Sequence, residues 1–404
     1  MTVPRPEAQN SPLAGRAVVC FSTADWDTLL PTNKHHLMRR FAQRGARVLY
    51  LETLGTRAPR LGSGTDVWRI VRRLRRGIAP PRRVERRLWV ASPLVRPRWS
   101  TRADIFLNRT LFRRQMRRTL QRFPRSIAWA YSPYAVHLLP FVEPELVVYH
   151  AVDDLSAVPG ADRAALREAE AQLMARADLV LCTVRPLLEK AKRIGADAHL
   201  LPNVADFKHF SRGEERTPST RLSHVRSLPR PRILFSGNLT PHKVDFALLD
   251  HLAAERPGWQ FILVGPPWEG ADPPAELRRL RKRPNVHFTG HVDYEDLPPY
   301  LHAADALLIP YVLNDATRAV SPLKLFEYLS TGRPVVSSPL PSVLPYRGAI
   351  RVAGEREQWL AELEAALRDT HEMELQRRTL ARRHTWSRRM AEIEALLEEK
   401  LGRE

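Results

Sequence analysis

The sequence has few cysteines and lacks any long apolar run. Only Cys20 and Cys182 occur among 404 residues, too few for a disulfide framework or a cysteine-rich zinc site. No segment reaches the ~18 consecutive apolar residues that a membrane-spanning helix needs. The nearest, 127–142, is interrupted by two prolines and a histidine. Residues 1–13 have no apolar core and do not resemble a secretory signal. We therefore expect a cytoplasmic chain with buried, reduced thiols.

Lysine is absent and acidic residues are scarce between Arg57 and Arg125. This segment contains 21 arginines and three acids, and it carries nearly all of the formal net charge of +20. A patch with one sign of charge repels itself, and it usually has an anionic partner. The composition therefore indicates an anionic surface or ligand.

Two stretches of the basic segment, 67–78 and 107–123, place apolar residues at helical spacing with arginines on the flanks. Basic amphipathic helices of this kind lie on anionic lipid. We expect peripheral attachment to the inner face of the cell membrane through arginines of these stretches: Arg69, Arg72, Arg73, Arg76, Arg113 and Arg117. Two alternatives remain open. The apolar stripes could pack on the protein core, or the patch could bind nucleic acid, although the tryptophans are too scattered to favour base stacking.

Strand and helix patterns alternate in two series along the chain, which predicts an α/β protein with two doubly wound parallel sheets facing across a cleft. The predicted boundaries are a loose leader at 1–15, a first domain at 16–205 with the arginine-rich insert at 57–125, a linker at 206–230, a second domain at 231–370 and a C-terminal helix at 371–404. In such sheets, ligands bind beyond the carboxyl ends of the strands.

The segment 321–337 is the most informative part of the sequence. Ser321 is a good N-cap and Pro322 fits the first helical position, so a helix is predicted to begin there. Its free N–H groups would bind an anion, and Lys324 would add a positive charge. Glu327 lies on the same face and can accept two hydrogen bonds from a diol. This arrangement suits a nucleoside diphosphate; the alternative is a surface ion pair between the two charged residues.

The segment 321–337 resembles the donor-site helix of GT-B fold glycosyltransferases, in the broad family 4-like group. Residues 237–243 resemble the loop after the first strand of the nucleotide-sugar domain, and 285–290 are similar to the nucleobase segment. Residues 201–203 match the end of the acceptor domain. Residues 384–386 and the helix after them look like the C-terminal helix that crosses back onto the first domain.

The resemblance implies a nucleotide-sugar-dependent enzyme with two Rossmann-like domains and no cofactor. It implies these donor-binding residues: Gly237, Asn238, Lys243, Phe288, Ser321, Lys324 and Glu327. One position departs from the pattern, because Ala319 stands where many members have a second glutamate that contacts the transferred sugar. The sugar and the stereochemical course therefore stay open.

Residues 149–154 place the chain closer to the envelope and exopolysaccharide branch, which includes the xanthan glucuronosyltransferase type. Members of that branch invert and use an aspartate base from the acceptor domain. Asp153 and Asp154 follow the predicted strand 146–149, so we predict Asp153 as the base and Asp154 as the second candidate. The alternative is that the pair caps the following turn.

A metal site is not expected at these two aspartates, because a divalent ion usually takes more oxygen ligands. Asn33, Lys34 and His35 open the first helix and are weaker candidates for contact with phosphate or acceptor. Exposure of these three side chains to solvent is the alternative.

The sequence thus predicts a glycosyltransferase that moves a sugar from a nucleoside-diphosphate sugar to a lipid-linked or cell-envelope polysaccharide acceptor, independently of metal. A nucleotide-sugar epimerase on the same scaffold and a nucleic-acid-binding protein remain as alternatives. A dinucleotide oxidoreductase is disfavoured, because no G-x-G-x-x-G follows a strand.

Overall fold

The computed structural model describes residues 11–55, 76–77, 79–214, 219–266, 268 and 273–402. The described chain divides into two compact units. The first contains Met1–Pro202 and Met390–Glu404, and the second contains Asn203–Arg389.

The first unit is built on one eight-stranded sheet with the strand order β3-β4-β2-β1-β5-β6-β7-β8. Its strands are β1 Ala17–Phe21, β2 Arg47–Leu51, β3 Arg82–Glu85, β4 Leu88–Ala91, β5 Ile127–Ala130, β6 Leu146–Ala151, β7 Leu179–Cys182 and β8 Ala198–Leu200. Its helices are α1 Asn33–Gln43, α2 Arg102–Leu120, α3 Arg163–Arg176 and α4 Arg185–Arg193. Neighbouring strands are parallel except for the β3–β4 pair. Every residue of β1 is buried, as expected for a parallel strand covered on both faces.

The second unit is built on a six-stranded parallel sheet with the order β11-β10-β9-β12-β13-β14. Its strands are β9 Arg232–Ser236, β10 Gln260–Val264, β11 Val286–Gly290, β12 Ala306–Ile309, β13 Val335–Ser337 and β14 Arg351–Val352. Its helices are α5 Phe207–Phe210, α6 Thr220–Ser227, α7 Phe246–Glu255, α8 Ala275–Leu280, α9 Leu297–Ala303, α10 Asp315–Arg318, α11 Leu323–Thr331, α12 Arg356–Ala366 and α13 His371–Arg383; the last helix of the chain is α14 Trp386–Leu401. The prediction of two doubly wound, Rossmann-like sheets is confirmed.

The end of the predicted leader is packed rather than loose. Leu13 is fully buried, and the Ser11 hydroxyl donates a hydrogen bond of 2.6 Å to Glu394 on α14. The leader prediction therefore does not hold for residues 11–15, while residues 1–10 lie outside the described part of the chain.

The predicted linker at 206–230 contains α5 and α6. Phe210, Leu222 and Val225 from this segment belong to the hydrophobic core of the second unit. Residues 219–228, which include α6, lie between two prolines of the sequence, and these prolines limit the helix without interrupting it. The described residues of this segment are therefore part of the second unit.

The predicted C-terminal element at 371–404 is two helices, α13 and α14. Arg377 on α13 donates to the carbonyl oxygen of Gly332 at 2.8 Å, so α13 packs within the second unit. Lys400 on α14 pairs with Asp197 at 2.5 Å, within the first unit. Only the final helix therefore returns to the first unit.

The apolar stripe of α2 packs on the core of the first unit. Phe112, Met116 and Leu120 are buried, and the Phe112 ring centroid lies 6.4 Å from that of Phe21. The expectation that the stripe of stretch 107–123 faces lipid is thereby corrected: the alternative, packing on the core, applies to these residues.

The predicted membrane arginines have different environments. Arg113 and Arg117 on α2 are exposed. Arg76 pairs with Asp27 at 2.7 Å, so its charge is already compensated by protein. Most of stretch 67–78, with Arg69, Arg72 and Arg73, lies outside the described residues. Among the residues that are described, no helix has the length and apolar character needed to cross a membrane.

Candidate active site

The carboxyl end of β9 leads directly into a loop that requires glycine. Gly237 follows β9 with a φ of 141°, and its N–H donates to the Val264 carbonyl at 2.8 Å. A Cβ on Gly265 would lie 2.0 Å from the Gly237 carbonyl oxygen. The backbone at Gly237 and the backbone at Gly265 are therefore in direct contact at the carboxyl end of the sheet. Ligands of such folds bind at this end.

Helix α11 begins one residue later than predicted. Its N-cap is Pro322, and no side chain caps its first turn. The Ser321 hydroxyl instead accepts a hydrogen bond from the Asn203 N–H at 3.3 Å, and the Ser321 carbonyl accepts one from the Asn203 amide at 2.6 Å. Ser321 therefore fixes the chain before the helix, and the uncapped N–H groups of the first turn remain suited to an anion. Gly332 ends the helix with a φ of 80°, as predicted.

Tyr328 fastens α11 to the end of β9. Its hydroxyl accepts a hydrogen bond from the Ser236 N–H at 2.8 Å. Lys324 lies one turn earlier on the same face of the helix. This anchor therefore places Lys324 beside Gly237, where a Cβ would come within 3.1 Å of the lysine Nζ.

The Lys324 ammonium does not pair with Glu327. It donates a hydrogen bond of 2.6 Å to the Tyr311 hydroxyl, and it lies 5.2 Å from the centre of the Phe235 ring. The alternative of a surface ion pair between Lys324 and Glu327 therefore does not describe the site.

Glu327 is a half-buried carboxyl group with no hydrogen-bond or ionic partner in the described part of the chain. Burial raises the pKa of Glu327 to about 7, and the nearby Lys324 ammonium opposes this rise. A carboxyl group in this state is poised to gain hydrogen bonds from a ligand, because hydroxyl donors favour its charged form. Perturbed carboxyl groups of this kind are common at functional sites.

Asn238 and Lys243 lie on the loop that follows Gly237. This loop is tied to the segment after β12, because the Asn314 amide donates to the His242 carbonyl at 2.8 Å and the Val312 N–H donates to the Lys243 carbonyl at 2.9 Å. Asn238 is exposed and Lys243 is half-buried. The Lys243 ammonium has no ionic partner among residues that the structure describes.

Phe288 makes no hydrogen bond or ring contact with the other predicted donor residues in the described part of the chain. It lies within β11, two residues before the strand ends at Gly290, and packs against the core with the Arg281 guanidinium 5.9 Å from its ring. The carbonyl of Gly290, which accepts the Gly265 N–H at 2.9 Å, adjoins the contact between Gly237 and Gly265 instead.

Asp153 and Asp154 have different roles in the first unit. Asp154 accepts hydrogen bonds from the Ser156 N–H at 2.9 Å and the Ser156 hydroxyl at 2.7 Å, so it caps the short turn Leu155–Ala157. Asp153 follows β6, is half-buried and makes no hydrogen bond or ion pair with any described residue. The capping alternative thus applies to Asp154, and Asp153 remains the candidate base.

Asn33, Lys34 and His35 are buried at the start of α1, not solvated. The ring of His35 accepts at Nδ1 from the Thr32 N–H at 3.0 Å and donates from Nε2 to the Asp25 carbonyl at 3.0 Å. Burial lowers the pKa of His35 to about 4, so the ring is neutral near pH 7. His35 therefore holds the helix start in place and has no ring nitrogen left for a phosphate.

Tyr311, Phe235, Tyr328 and Asn203 are site residues that the sequence did not single out. Tyr311 follows β12, and β12 pairs with β9 through Leu307 and Leu234. Its contact with α11 depends on this pairing between distant segments, which has no local sequence signal. Tyr328 is the exception, since its spacing of four from Lys324 on a predicted helix could have placed it on the same face.

Within the described residues, no three His, Cys, Asp or Glu side chains are grouped so that they could hold a metal ion. The helix that places the Lys324 ammonium beside Gly237 also carries the carboxyl group of Glu327 and uncapped N–H groups in its first turn.

Residues 230–369 match the family model described as "Glycosyl transferases group 1". The chain is 31% identical over 184 residues to "Putative teichuronic acid biosynthesis glycosyltransferase TuaH" of Bacillus subtilis (strain 168). That alignment covers 45% of this chain and 45% of the relative, so the match spans about half of the relative's length.

Solved structures resemble nearly the whole chain. Sucrose-phosphate synthase from Thermosynechococcus elongatus has a TM-score of 0.71 at 15% identity, with 96% of this chain and 100% of that chain covered. Anabaena Alr3699/HepE in complex with UDP-glucose has a TM-score of 0.65 at 15% identity, with 96% and 100% covered. These likenesses establish the fold.

The class defined by the two Rossmann-like units and these structural relatives is the GT-B fold, as the sequence predicted. Within that fold, the segment that matches the group 1 glycosyltransferase model, residues 230–369, contains α11. The resemblance to the cell-envelope branch is supported by the Bacillus relative.

Proposed function

We propose that the protein transfers a sugar from a nucleoside-diphosphate sugar to a lipid-linked or cell-envelope polysaccharide acceptor, without a metal ion. The observation that carries this proposal is the placement of Lys324 and Glu327 on one helix at the carboxyl end of β9. The family match of residues 230–369 supports the same reaction class.

Lys324 and the first turn of α11 suit the diphosphate of the donor. Negative charge develops on the diphosphate as it leaves, and catalysis requires positive groups that are already in place there. The ammonium lies next to Gly237, whose missing side chain leaves room for the lysine head group. The uncapped N–H groups of α11 add partial positive charge. These groups can serve the role that a divalent cation has in other transferases.

Glu327 suits the ribose of the donor. A carboxylate can accept one hydrogen bond at each oxygen, which matches two neighbouring hydroxyl groups. Glu327 has no such donor among the described residues, and burial raises its pKa to about 7. Bound ribose hydroxyls would supply the missing hydrogen bonds and favour the charged carboxylate.

The sugar acceptor is proposed from the relatives and from the first unit. The Bacillus relative is named for teichuronic acid biosynthesis, and Anabaena Alr3699/HepE binds UDP-glucose. In the proposed inverting reaction, Asp153 removes the proton of an acceptor hydroxyl while that oxygen bonds to the anomeric carbon and the bond to the diphosphate breaks. The proposal for Asp153 is supported by its position after β6 and by its lack of partners within the described chain.

Binding to the cytoplasmic face of an anionic membrane is proposed for α2. Although its stripe is buried, Phe106 and Leu107 near its amino end are 73% and 36% exposed, and Arg113 and Arg117 are exposed further along the helix. Apolar side chains beside arginines suit a lipid headgroup region. A lipid-linked acceptor would be reached from this surface.

Donor binding is tested by measuring the melting temperature with a panel of nucleotide sugars. At least one should stabilise the wild type, because a ligand that binds only the folded state raises its stability. Glu327→Ala should abolish the shift, whereas Glu357→Ala, at an exposed position on α12, should retain it. A panel without any shift, or a shift that survives Glu327→Ala, would contradict the proposal.

Release of nucleoside diphosphate only when acceptor is present would separate transfer from epimerisation.

Membrane binding is tested by flotation with vesicles that contain anionic or only neutral lipid. Replacing Arg113 and Arg117 with Gln should weaken binding to anionic vesicles by about tenfold or more, since each basic residue near such a surface contributes about 1 kcal/mol. A control that replaces exposed Arg368 and Arg383 removes the same charge from the second unit and should have little effect. Equal losses in both double variants would indicate attraction by net charge alone.

A further inference from the structure

The aromatic side chains of Tyr311 and Phe235 hold the Lys324 ammonium in a defined position. Its Nζ donates to the Tyr311 hydroxyl at 2.6 Å and lies 5.2 Å from the centre of the Phe235 ring. A Cβ on Gly237 would lie 3.1 Å from the same atom, so the ammonium is directly above this glycine. The lysine is thus oriented before any ligand binds.

Tyr311 is itself fixed by its backbone and by its surroundings. Its ring is buried, its N–H donates to the Ile309 carbonyl at 3.0 Å, and its carbonyl accepts a hydrogen bond of 2.6 Å from the Ser338 hydroxyl. An antiparallel bridge to Val244 holds it from the other side. The position of the phenol oxygen is therefore determined by the sheet of the second unit.

A lysine side chain has four rotatable bonds and loses much conformational freedom when a ligand immobilises it. A partner that holds the ammonium beforehand removes most of that loss from the binding step. Lysine has three N–H donors, so the bond to Tyr311 leaves two for phosphate oxygens.

We propose that Tyr311 is the positioning residue of the donor site: it directs the Lys324 ammonium over Gly237 toward the terminal phosphate of the nucleoside diphosphate. This inference rests on the proposed function, because it assumes that a diphosphate binds there. Tyr311 acts through Lys324 and does not itself contact the reacting atoms.

The test compares a nucleoside diphosphate with its monophosphate by calorimetric titration, using whichever of UDP, GDP, ADP or dTDP binds the wild type. Tyr311→Phe removes only the hydroxyl. It should weaken diphosphate binding by about tenfold, as expected for loss of a hydrogen bond to a charged group, and change monophosphate binding by less than about twofold. Tyr300→Phe, which removes a tyrosine hydroxyl that contacts Ser219 elsewhere in the second unit, is the matched control and should show no such preference.

A double-mutant cycle separates positioning from a merely structural role. In a Lys324→Ala background, Tyr311→Phe should cause no further loss, because the group that it positions is gone. Equal weakening of both nucleotides, or additive losses in the double variant, would overturn the inference. Tyr311→His, which retains a ring acceptor, gives a second variant and should keep more of the diphosphate preference than Phe does. If no nucleotide binds the wild type, the proposed function fails. If a diphosphate binds wild type and Tyr311→Phe with equal affinity, only this inference fails.

Discussion

The carboxyl group of Glu327 couples the donor site to pH. Burial raises its pKa to about 7, against the opposing field of Lys324, so the group is only partly ionised near neutrality. The charged form is the one that can accept hydrogen bonds at both oxygens. The same residue that suits the ribose therefore costs the ligand-free protein some stability.

Nucleotide affinity should fall when the pH drops below about 7. Between pH 8 and pH 6 the ionised fraction of a group with this pKa falls about tenfold, and we expect a similar loss of affinity in titration calorimetry. Glu327→Gln should bind weakly at every pH and show only the shallow dependence caused by the phosphate of the nucleotide. An identical pH profile in wild type and Glu327→Gln would contradict this role.

Thermal stability should show the opposite trend in the absence of nucleotide. Because the folded-state pKa of Glu327 lies above its ordinary value of 4.5, its contribution to stability is complete below pH 4.5 and is lost as the pH rises through about 7. Glu327→Gln should therefore melt about 2–4 °C above wild type at pH 8, the change that about 1 kcal/mol produces in a domain of this size. The two proteins should melt together near pH 4.5. A variant that is less stable than wild type at pH 8 would count against buried charge as the cause.

The two neighbouring aspartates provide a matched pair for the catalytic base. Asp153→Asn should lower turnover by about 10²–10⁴-fold, the usual contribution of a general base, and leave nucleotide affinity unchanged. Asp154→Ala should cost about 1 kcal/mol of stability, because it removes the cap at Ser156, with a much smaller effect on turnover. Steady-state kinetics and thermal melts of both variants distinguish the roles. The reverse order of activity loss would assign the base to Asp154.

Among the structural elements, α11 and the loop after β9 have to meet closely for the site to form. Tyr328 ties the helix to Ser236, and Gly237 leaves the space that the Lys324 ammonium occupies. The geometry of the site is therefore a property of this junction more than of any single side chain.

Gly237→Ala should disrupt the junction. The new Cβ would meet the Lys324 Nζ at 3.1 Å, and the φ of 141° is unfavourable for any residue with a side chain. Such strain costs on the order of 1–3 kcal/mol, so we expect a lower melting temperature and about tenfold weaker nucleotide binding. Gly258→Ala is the matched control, because no atom lies within 4 Å of its Cβ position. Wild-type affinity in Gly237→Ala would show that the ammonium is not held beside this glycine.

Across the whole molecule, the sequence predicted what local patterns determine. Buried apolar runs such as 17–21 became strands, and Gly332 ended α11 through its left-handed conformation. Ser321 did not become the N-cap, because Asn203, more than a hundred residues earlier, bonds to it. The linker prediction failed where short helices between prolines packed into the core.

The parts of the site that the sequence could not predict depend on pairing between distant segments. Tyr311 reaches Lys324 only because β12 lies beside β9. Likewise, the burial of the α2 stripe depends on packing against Phe21, since helical periodicity alone does not distinguish a core-facing stripe from a lipid-facing one. Periodicity identifies the helix, and the tertiary structure determines which surface it covers.

The central claim is that α11 binds the leaving group of an activated sugar, and titration calorimetry with the matching nucleoside diphosphate tests it most directly. The wild type should bind one nucleotide per chain. Lys324→Ala should weaken binding by at least about tenfold, as expected for loss of a charged hydrogen bond to phosphate, while Lys282→Ala, at an exposed position in the same unit, should bind as the wild type does. Equal affinity in wild type and Lys324→Ala would contradict the account.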